Sequence, residues 1–264
     1  MKNNKNSQLI VIFLIFCCKF FINSNGFSGD DIKAKYEFHP YYPTGLVLRY
    51  KIEKTSENQY EFPKELKGEM MEKFSFNTIS LVDWEVLADD GYYFAVGERQ
   101  KILSKEVNGN ESDIKDTSSD LRIIIISKND NRIIQKVGNI TVLTEYLLFP
   151  ISPERKVKLG ETWKMEENVV GLNGEEGKLH CKFTKKKNER INNQDCAKVS
   201  LICTNEMKKP FHGKYKSKGT IFFNTTTRYF QKFVIEGEGS GVAIRNNQRY
   251  KMAGKQKVKI ELIN

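Results

Sequence analysis

Histidine is scarce in this chain of 264 residues, and its scarcity narrows the chemistry that the protein can perform. The three histidines, His39, His180 and His212, lie far apart in sequence, and neither a His-Glu-x-x-His nor a Cys-x-x-Cys-His motif occurs. The usual zinc-protease and c-type haem signatures are therefore excluded. We predict no catalytic residue, no metal site and no cofactor, and we expect a protein that is not an enzyme.

The glycines form no recognisable catalytic or phosphate-binding motif. The string nearest to a Gly-x-Ser-x-Gly nucleophile elbow is Gly237-Glu238-Gly239-Ser240-Gly241, in which Glu238 stands where the first glycine should be. A phosphate-binding loop would need a following helix and a different glycine spacing. We interpret the string as a tight turn or bend between edge strands.

Long apolar runs are also missing, except near the amino terminus. Residues 9–18 are apolar, Lys2 and Lys5 precede them, and Ser24-Asn25-Gly26 offers small residues at a cleavage site. Lys19 ends the run short of the roughly 20 residues that a membrane-spanning helix needs. The pattern predicts a signal peptide over residues 1–26, with an uncleaved anchor as the alternative. We therefore expect a secreted or periplasmic protein of the cell envelope with no transmembrane span after cleavage.

Charge is distributed unevenly along the rest of the chain. Residues 27–150 contain 16 Lys and Arg against 21 Asp and Glu, whereas residues 151–264 contain 24 against 12. This contrast predicts an acidic N-terminal β half over 27–150 and a basic C-terminal β half over 151–264. The basic half suits an acidic partner, a glycan or lipid headgroups, and the alternative is the ordinary one of solvated lysines on the outer faces of strands. We predict no nucleic-acid binding, and we predict polyanion contacts at Lys182, Lys185, Lys186, Lys187, Arg190, Lys214, Lys216 and Lys218.

Apolar residues recur at every second position in most segments, which is typical of half-buried strands. The alternation is clear at residues 46–53, 179–184 and 257–262, and a phase slip near 78–81 predicts a β-bulge. Only residues 141–148 indicate a short helix, and the polar stretch 105–120 is predicted to be a mobile loop. We expect an all-β fold of antiparallel meanders that form a curved sheet, a half-barrel or a sandwich.

Two short similarities suggest an internal repeat. A glycine turn followed by apolar residues occurs at 42–50 around Gly45 and again at 157–165 around Gly160, and residues 124–134 resemble residues 221–230. The alternative is chance similarity between ordinary hairpins. If the repeat is real, the protein consists of two related β-meanders with a boundary near residues 149–153.

One junction resembles a known group of proteins. Residues 149–163 read Phe-Pro-Ile-Ser-Pro-Glu-Arg-Lys-Val-Lys-Leu-Gly-Glu-Thr-Trp, a Pro-rich link that leads into the pattern Val157-x-x-Gly160-x-x-Trp163. This segment resembles a junction in uncharacterised secreted, β-rich bacterial proteins of the planctomycete type, and residues 219–230 are similar to the strand that follows there. The resemblance covers residues 40–264 in layout. It implies secretion and a β fold but no activity, and the lysine density here departs from it.

Three cysteines remain after residue 26, so an oxidising compartment allows at most one internal disulfide. Cys181 and Cys203 each lie on the apolar side of a predicted strand, and a turn at Asn192 and Asn193 would place them opposite each other. Cys196 falls on the opposite, polar face of the same predicted strand as Cys203. We predict a Cys181–Cys203 disulfide with Cys196 as the free thiol, and the alternative is that Cys181 and Cys203 are both small, reduced core residues.

Two functions remain open. The first is an exported, non-enzymatic binding or assembly module of the cell envelope, whose basic C-terminal face contacts an acidic partner or polyanion. The alternative is a carrier or sensor of an apolar ligand, such as a lipid or acyl chain, in a cavity of the β-sheet. Aromatic residues such as Trp84 and Trp163 would fill the core in the first case and line the cavity in the second.

Overall fold

The computed structural model describes residues 41–62, 73–112, 121–127, 133–137, 143, 147, 157–170, 176–208, 211–245 and 248–263. The predicted signal peptide lies outside these residues. The strands are β1 (Val47–Glu61), β2 (Lys73–Asp89), β3 (Tyr93–Val107), β4 (Asn110–Glu111), β5 (Arg122–Ser127), β6 (Ile133–Val137), β7 (Thr162–Val170), β8 (Glu176–Ile191), β9 (Gln194–Lys208), β10 (Phe211–Asn224), β11 (Tyr229–Arg245) and β12 (Gln248–Leu262).

All of these strands belong to one antiparallel sheet. Their order is β6-β5-β3-β2-β1-β12-β11-β10-β9-β8-β7, and the short β4 pairs with β3. Consecutive strands are neighbours almost throughout, which is the connectivity of a meander. The prediction of an all-β fold built from antiparallel meanders is confirmed, in the form of an open sheet.

The first and last strands meet at the centre of this sheet. β1 pairs with β12 from Tyr50 opposite Leu262 to Glu61 opposite Lys251. The strands that follow β1 extend toward β6, and those that precede β12 extend toward β7. The acidic and basic segments, 27–150 and 151–264, therefore contribute the two sides of a continuous sheet.

Side-chain alternation divides the sheet into an inner and an outer face. The inner face carries the hydrophobic core, in which Tyr50, Trp84, Phe183 and Phe233 are fully buried. The outer face carries mainly charged and polar side chains. Leu143 and Leu147 are helical and buried in the same core; the rest of the helix predicted at 141–148 lies outside the described residues.

The glycine-rich string at 237–241 is not a turn between edge strands, so that interpretation is wrong. It lies within β11, which pairs with both β10 and β12 near the middle of the sheet. A close contact with Tyr215 on the inner face explains two of the glycines. A Cβ atom at Gly237 would overlap the Tyr215 hydroxyl, and one at Gly239 would lie 2.8 Å from the Tyr215 ring. The missing side chains on β11 make room for an aromatic ring from β10.

The predicted mobile loop at 105–120 is also corrected in its first part. β3 continues to Val107, turns at Asn108 and Gly109 and pairs back through β4. Both turn residues have positive φ values, 52° and 77°, as a two-residue hairpin turn requires. Residues 113–120 lie outside the described part of the chain. The bulge predicted near 78–81 is confirmed by a register shift between Ile79 and Ser80.

Cys181 and Cys203 form a disulfide across β8 and β9, with their Cα atoms 4.1 Å apart. The turn at Asn192 and Asn193, with φ values of 49° and 62°, pairs Ile191 with Gln194. Continued without interruption, that register would place Cys181 opposite Thr204. A β-bulge between Lys186 and Glu189 shifts the pairing by one residue and brings Cys203 into place.

Cys196 is the free cysteine of the described residues, and it is buried. Burial raises the pKa of its thiol, which keeps it protonated and poorly reactive.

The two glycine turns of the predicted repeat have the same backbone hydrogen bonds. Gly45 N donates to Val86 O at 2.8 Å, and Gly160 N donates to Lys185 O at 2.9 Å. The next residue of each turn has matching bonds as well: its amide donates to the carbonyl three positions earlier, and its carbonyl accepts from Val86 N or Lys185 N. Both glycines have φ near 80°. The two meanders thus begin with equivalent turns.

Removal of the disulfide should destabilise the protein measurably. For a bridge that closes a separation of 22 residues, the chain-entropy relation gives a loss of roughly 3 kcal/mol in the free energy of unfolding. Urea denaturation of the Cys181→Ala/Cys203→Ala variant should show this loss, and reductant should lower the wild type alone to the same level. A bridge to Cys196 in a non-reducing peptide map would contradict the assigned pairing.

The Gly237–Tyr215 contact can be tested by a double-mutant cycle. Gly237→Ala should destabilise the wild type by about 1–3 kcal/mol, because the added methyl group overlaps the Tyr215 ring. The same substitution should cost much less in a Tyr215→Ala background, where the ring is absent. Equal costs in both backgrounds, measured by urea denaturation, would show that the ring does not require the glycine.

Candidate interaction surface

A row of lysines crosses the outer face of the basic half. Lys164 of β7 lies opposite Lys182 of β8, and Lys182 lies opposite Ile202 of β9. The row continues through Lys218 of β10, Glu236 of β11 and Lys257 of β12. We call the four lysines of this line, Lys164, Lys182, Lys218 and Lys257, the lysine row.

One end of the row has like charges directly opposite each other. Lys164 and Lys182 face each other directly, and neither has a carboxylate opposite it on a neighbouring described strand. Like charges in such positions destabilise a sheet by roughly 0.2–1 kcal/mol. Between Lys182 and Lys218 lies Ile202, which is 49% exposed although it is large and apolar. The repulsion between the two lysines and the exposure of Ile202 to water therefore both lower the stability of this part of the sheet.

The centre of the same face is compensated. Lys251 of β12 bonds Glu61 of β1 at 3.0 Å, and Lys259 lies 3.7 Å from Glu53. Lys255 lies between two glutamates, one on each neighbouring strand. The fold therefore pairs lysines with glutamates around β12, and it does so at the far end of β8 and β9, where Lys198 lies 2.6 Å from Glu189, but Lys164 and Lys182 have no such opposing glutamate.

Glu236 is the one acid within the lysine row. It accepts a bond from Lys257 Nζ at 3.0 Å. That hydrogen bond, together with the charges of Lys257 and Lys218, lowers the pKa of the Glu236 carboxyl group. Glu236 therefore stays ionised at neutral pH and offsets only part of the positive charge around it.

A polar groove runs beside the lysine row. It has a volume of about 1180 Å³ and is lined by residues of β1, β2 and β8–β12 and by Asn108. One of its two rows of outward-facing side chains contains Ser75, Glu57, Lys255, Glu238, Lys216, Thr204 and His180, and the other contains Lys73, Gln59, Ala253, Ser240, Lys214 and Glu206. A second cleft of about 450 Å³ adjoins it and reaches Lys218 and Lys257.

We assign the groove to the outer face. Its lining holds two outward-facing rows and, between them, an inward-facing row that includes Phe74, Asn58, Tyr215 and Asn205, whereas the next inward-facing side chains on either side, such as Ser56, Tyr60 and Gln256, are not part of it. Those three side chains are buried. Since the second cleft reaches from the groove to the lysine row, the three features form one polar surface.

Most of the predicted contact residues are exposed, and one has a different role. Lys214, Lys216 and Lys218 lie together on the outer face of β10, and Lys182 lies on the outer face of β8. Lys186, Lys187 and Arg190 are exposed near the far end of β8, where Arg190 lies 3.3 Å from Asp195. Lys185 has inward parity and is half-buried. Its Nζ donates to the Val157 carbonyl at 3.0 Å, so it does not belong to the outer surface.

Sequence reasoning missed two members of the row, Lys164 and Lys257. Lys164 follows Trp163 by one residue, so its outward parity could have been found from the apolar side chain beside it. Lys257 belongs to the predicted closing strand, but its alignment with β8 depends on pairing between strands distant in sequence. Ile202, between Leu201 and Cys203, was hidden because an isolated isoleucine carries no charge signal.

Other chemical features are sparse in the described ranges. No group of three or more His, Cys, Asp or Glu side chains that could hold a metal ion is found among these residues. His180 Nδ1 lies 3.2 Å from Glu166 on the outer face, where both side chains are exposed. No helix in the described part of the chain is long and apolar enough to cross a membrane. No protein-family model and no curated protein matches the chain.

Charge reversal at Lys164 should raise stability. Lys164→Glu converts a direct like-charge pair with Lys182 into an opposite-charge pair, with an expected gain of about 0.5 kcal/mol in the free energy of unfolding. Lys257→Glu is the matched control, because it replaces an ion pair with Glu236 by repulsion and should lower stability. Urea denaturation at low salt checks both signs. Loss of stability in Lys164→Glu would mean that the row is compensated in solution.

Proposed function

We propose that the protein is an exported, non-enzymatic binding module that contacts an acidic partner or polyanion through the outer face of its basic half. The observation that carries this proposal is the lysine row. Lys164 and Lys182 are held opposite each other without an opposing carboxylate, although the same sheet pairs its β12 lysines with glutamates. A bound anion would remove that repulsion, so the cost in the free protein favours binding.

The geometry supports an extended contact. Neighbouring strands lie about 4.8 Å apart, so the lysine row offers ammonium groups at intervals of one or two strand spacings across the sheet. Exposed Ile202 lies between two of them and would lose its contact with water when a partner covers the row. Binding of one partner would thus both neutralise the repulsion between the lysines and cover the exposed side chain of Ile202.

The alternative, a carrier of an apolar ligand, has less support. The groove and the cleft beside it are lined mainly by Lys, Glu and other polar side chains. Trp84 and Trp163 pack in the core instead of lining either space. An apolar ligand needs a mostly apolar, enclosed lining. The interaction module therefore remains our preferred function.

A charge-matched pair of variants tests the proposal. We expect the wild type to bind heparin at low salt and to release it as salt rises, because exposed charges are screened over about 8 Å at physiological ionic strength. Lys164→Gln/Lys182→Gln/Lys218→Gln should weaken binding by about tenfold, if each contact contributes roughly 0.5 kcal/mol.

The control removes the same charge from exposed positions outside the groove and the row, as Arg99→Gln/Lys101→Gln/Lys251→Gln. It should weaken heparin binding by only about twofold, through the change in net charge. Equal losses in the two triple variants would show that net charge rather than the row determines binding. No binding by the wild type at low salt would refute the proposal.

A further inference from the structure

The polar groove has the dimensions of a site for a single extended chain. It crosses from β2 to β8, which is six strand intervals or about 29 Å along the sheet at a spacing of about 4.8 Å. Its two rows of outward side chains are two residues apart along each strand, which corresponds to about 7 Å. A volume of 1180 Å³ spread over that length leaves a cross-section of about 40 Å². The space is long and narrow.

One row of its lining alternates in charge across the four central strands. In this row Glu57, Lys255, Glu238 and Lys216 are consecutive cross-strand neighbours, so acidic and basic side chains follow each other across four strands. The other row adds Lys214, which lies 3.2 Å from Glu206. A lysine ammonium group acts only as a hydrogen-bond donor, and an ionised glutamate acts only as an acceptor. These side chains partly compensate one another, and a ligand that contacts all of them carries acceptors and donors along one chain.

We propose that the polar groove binds a linear acidic polysaccharide, whose anionic groups lie against the lysines and whose hydroxyl groups donate to Glu57 and Glu238. This inference rests on the proposed function and names its partner class. A uniformly anionic chain, such as polyphosphate, would meet repulsion from the two glutamates. An acidic peptide adds its strand at an open sheet edge, but the groove crosses the faces of strands β1 and β9–β12, which are paired on both sides.

The lysine row forms one side of this site. The second cleft contains Lys216 and Lys255 from the groove together with Lys218 and Lys257 from the row, so a bulky anionic substituent on the chain could reach both sets. The groove then sets the path of the polymer, and the row adds positive charge beside that path.

The test measures binding of size-defined chondroitin sulfate oligosaccharides to the intact protein by calorimetry. Affinity should rise with oligosaccharide length until the chain spans about 29 Å and should then level off, because longer chains add no contacts within the groove. Polyphosphate of similar length and vesicles containing phosphatidylglycerol should bind more weakly, by about fivefold or more, because neither offers hydroxyl donors in an extended line.

A double variant separates the polysaccharide site from a general polyanion surface, because charge alone predicts the same change in affinity for both ligands. Glu57→Gln/Glu238→Gln makes the groove more basic and should strengthen polyphosphate binding by about fivefold, while it weakens or leaves unchanged the binding of the oligosaccharide. The control Glu61→Gln removes an exposed acid of the same strand outside the groove and should leave the ratio of the two affinities unchanged. Thermal melting checks that both variants fold.

The outcomes separate this inference from the proposed function. Tighter binding of polyphosphate or vesicles than of the oligosaccharide, or an affinity that does not depend on length, would overturn the polysaccharide groove and leave a general polyanion surface. An equal gain in affinity for both ligands in the double variant would overturn it too. If none of the three probes binds, both proposals fail together.

Discussion

The pairing of the first strand with the last is the constraint on which the rest of the structure depends. Among the described strands, β1 and β12 alone link the two meanders, in an unbroken register from Tyr50 to Glu61. Because side chains alternate between faces, a slip by one residue would move Glu57 and Lys255 to opposite faces. The same β1–β12 register therefore places the hydrophobic side chains on the core face and the groove side chains on the outer face.

Electrostatics divides the outer face into two parts that differ in how their lysines are compensated. Around β12, cross-strand ion pairs such as Lys251–Glu61 and Lys257–Glu236 neutralise the sheet at little cost. Between β7 and β8, Lys164 and Lys182 lie opposite each other and repel each other. A single change to glutamate at either position would relieve this repulsion. That imbalance is the physical basis for the interaction role that we propose for this side of the molecule.

The sequence predicts the parts of this fold that depend on local patterns. Alternation identifies the strands, and parity pairs Cys181 with Cys203, although the β-bulge that completes this pairing leaves no local signal. The glycines at 237–241 were misread because their cause, the Tyr215 ring, comes from another strand. The lysine row and the groove also escape prediction. They combine residues from strands far apart in sequence, and only the order of strands and the registers between them bring these residues together.

Direct mapping of the lysines provides the sharpest test of the polar surface. Reductive methylation with a ¹³C label gives each lysine its own NMR signal, and a chondroitin sulfate oligosaccharide can then be titrated into the labelled protein. The groove and row lysines, Lys214, Lys216, Lys255, Lys164, Lys182 and Lys218, should shift together. The inward Lys185 and the distant Lys101 should not shift. Shifts confined to lysines outside this surface, or spread equally over all exposed lysines, would contradict a defined binding surface on the outer face.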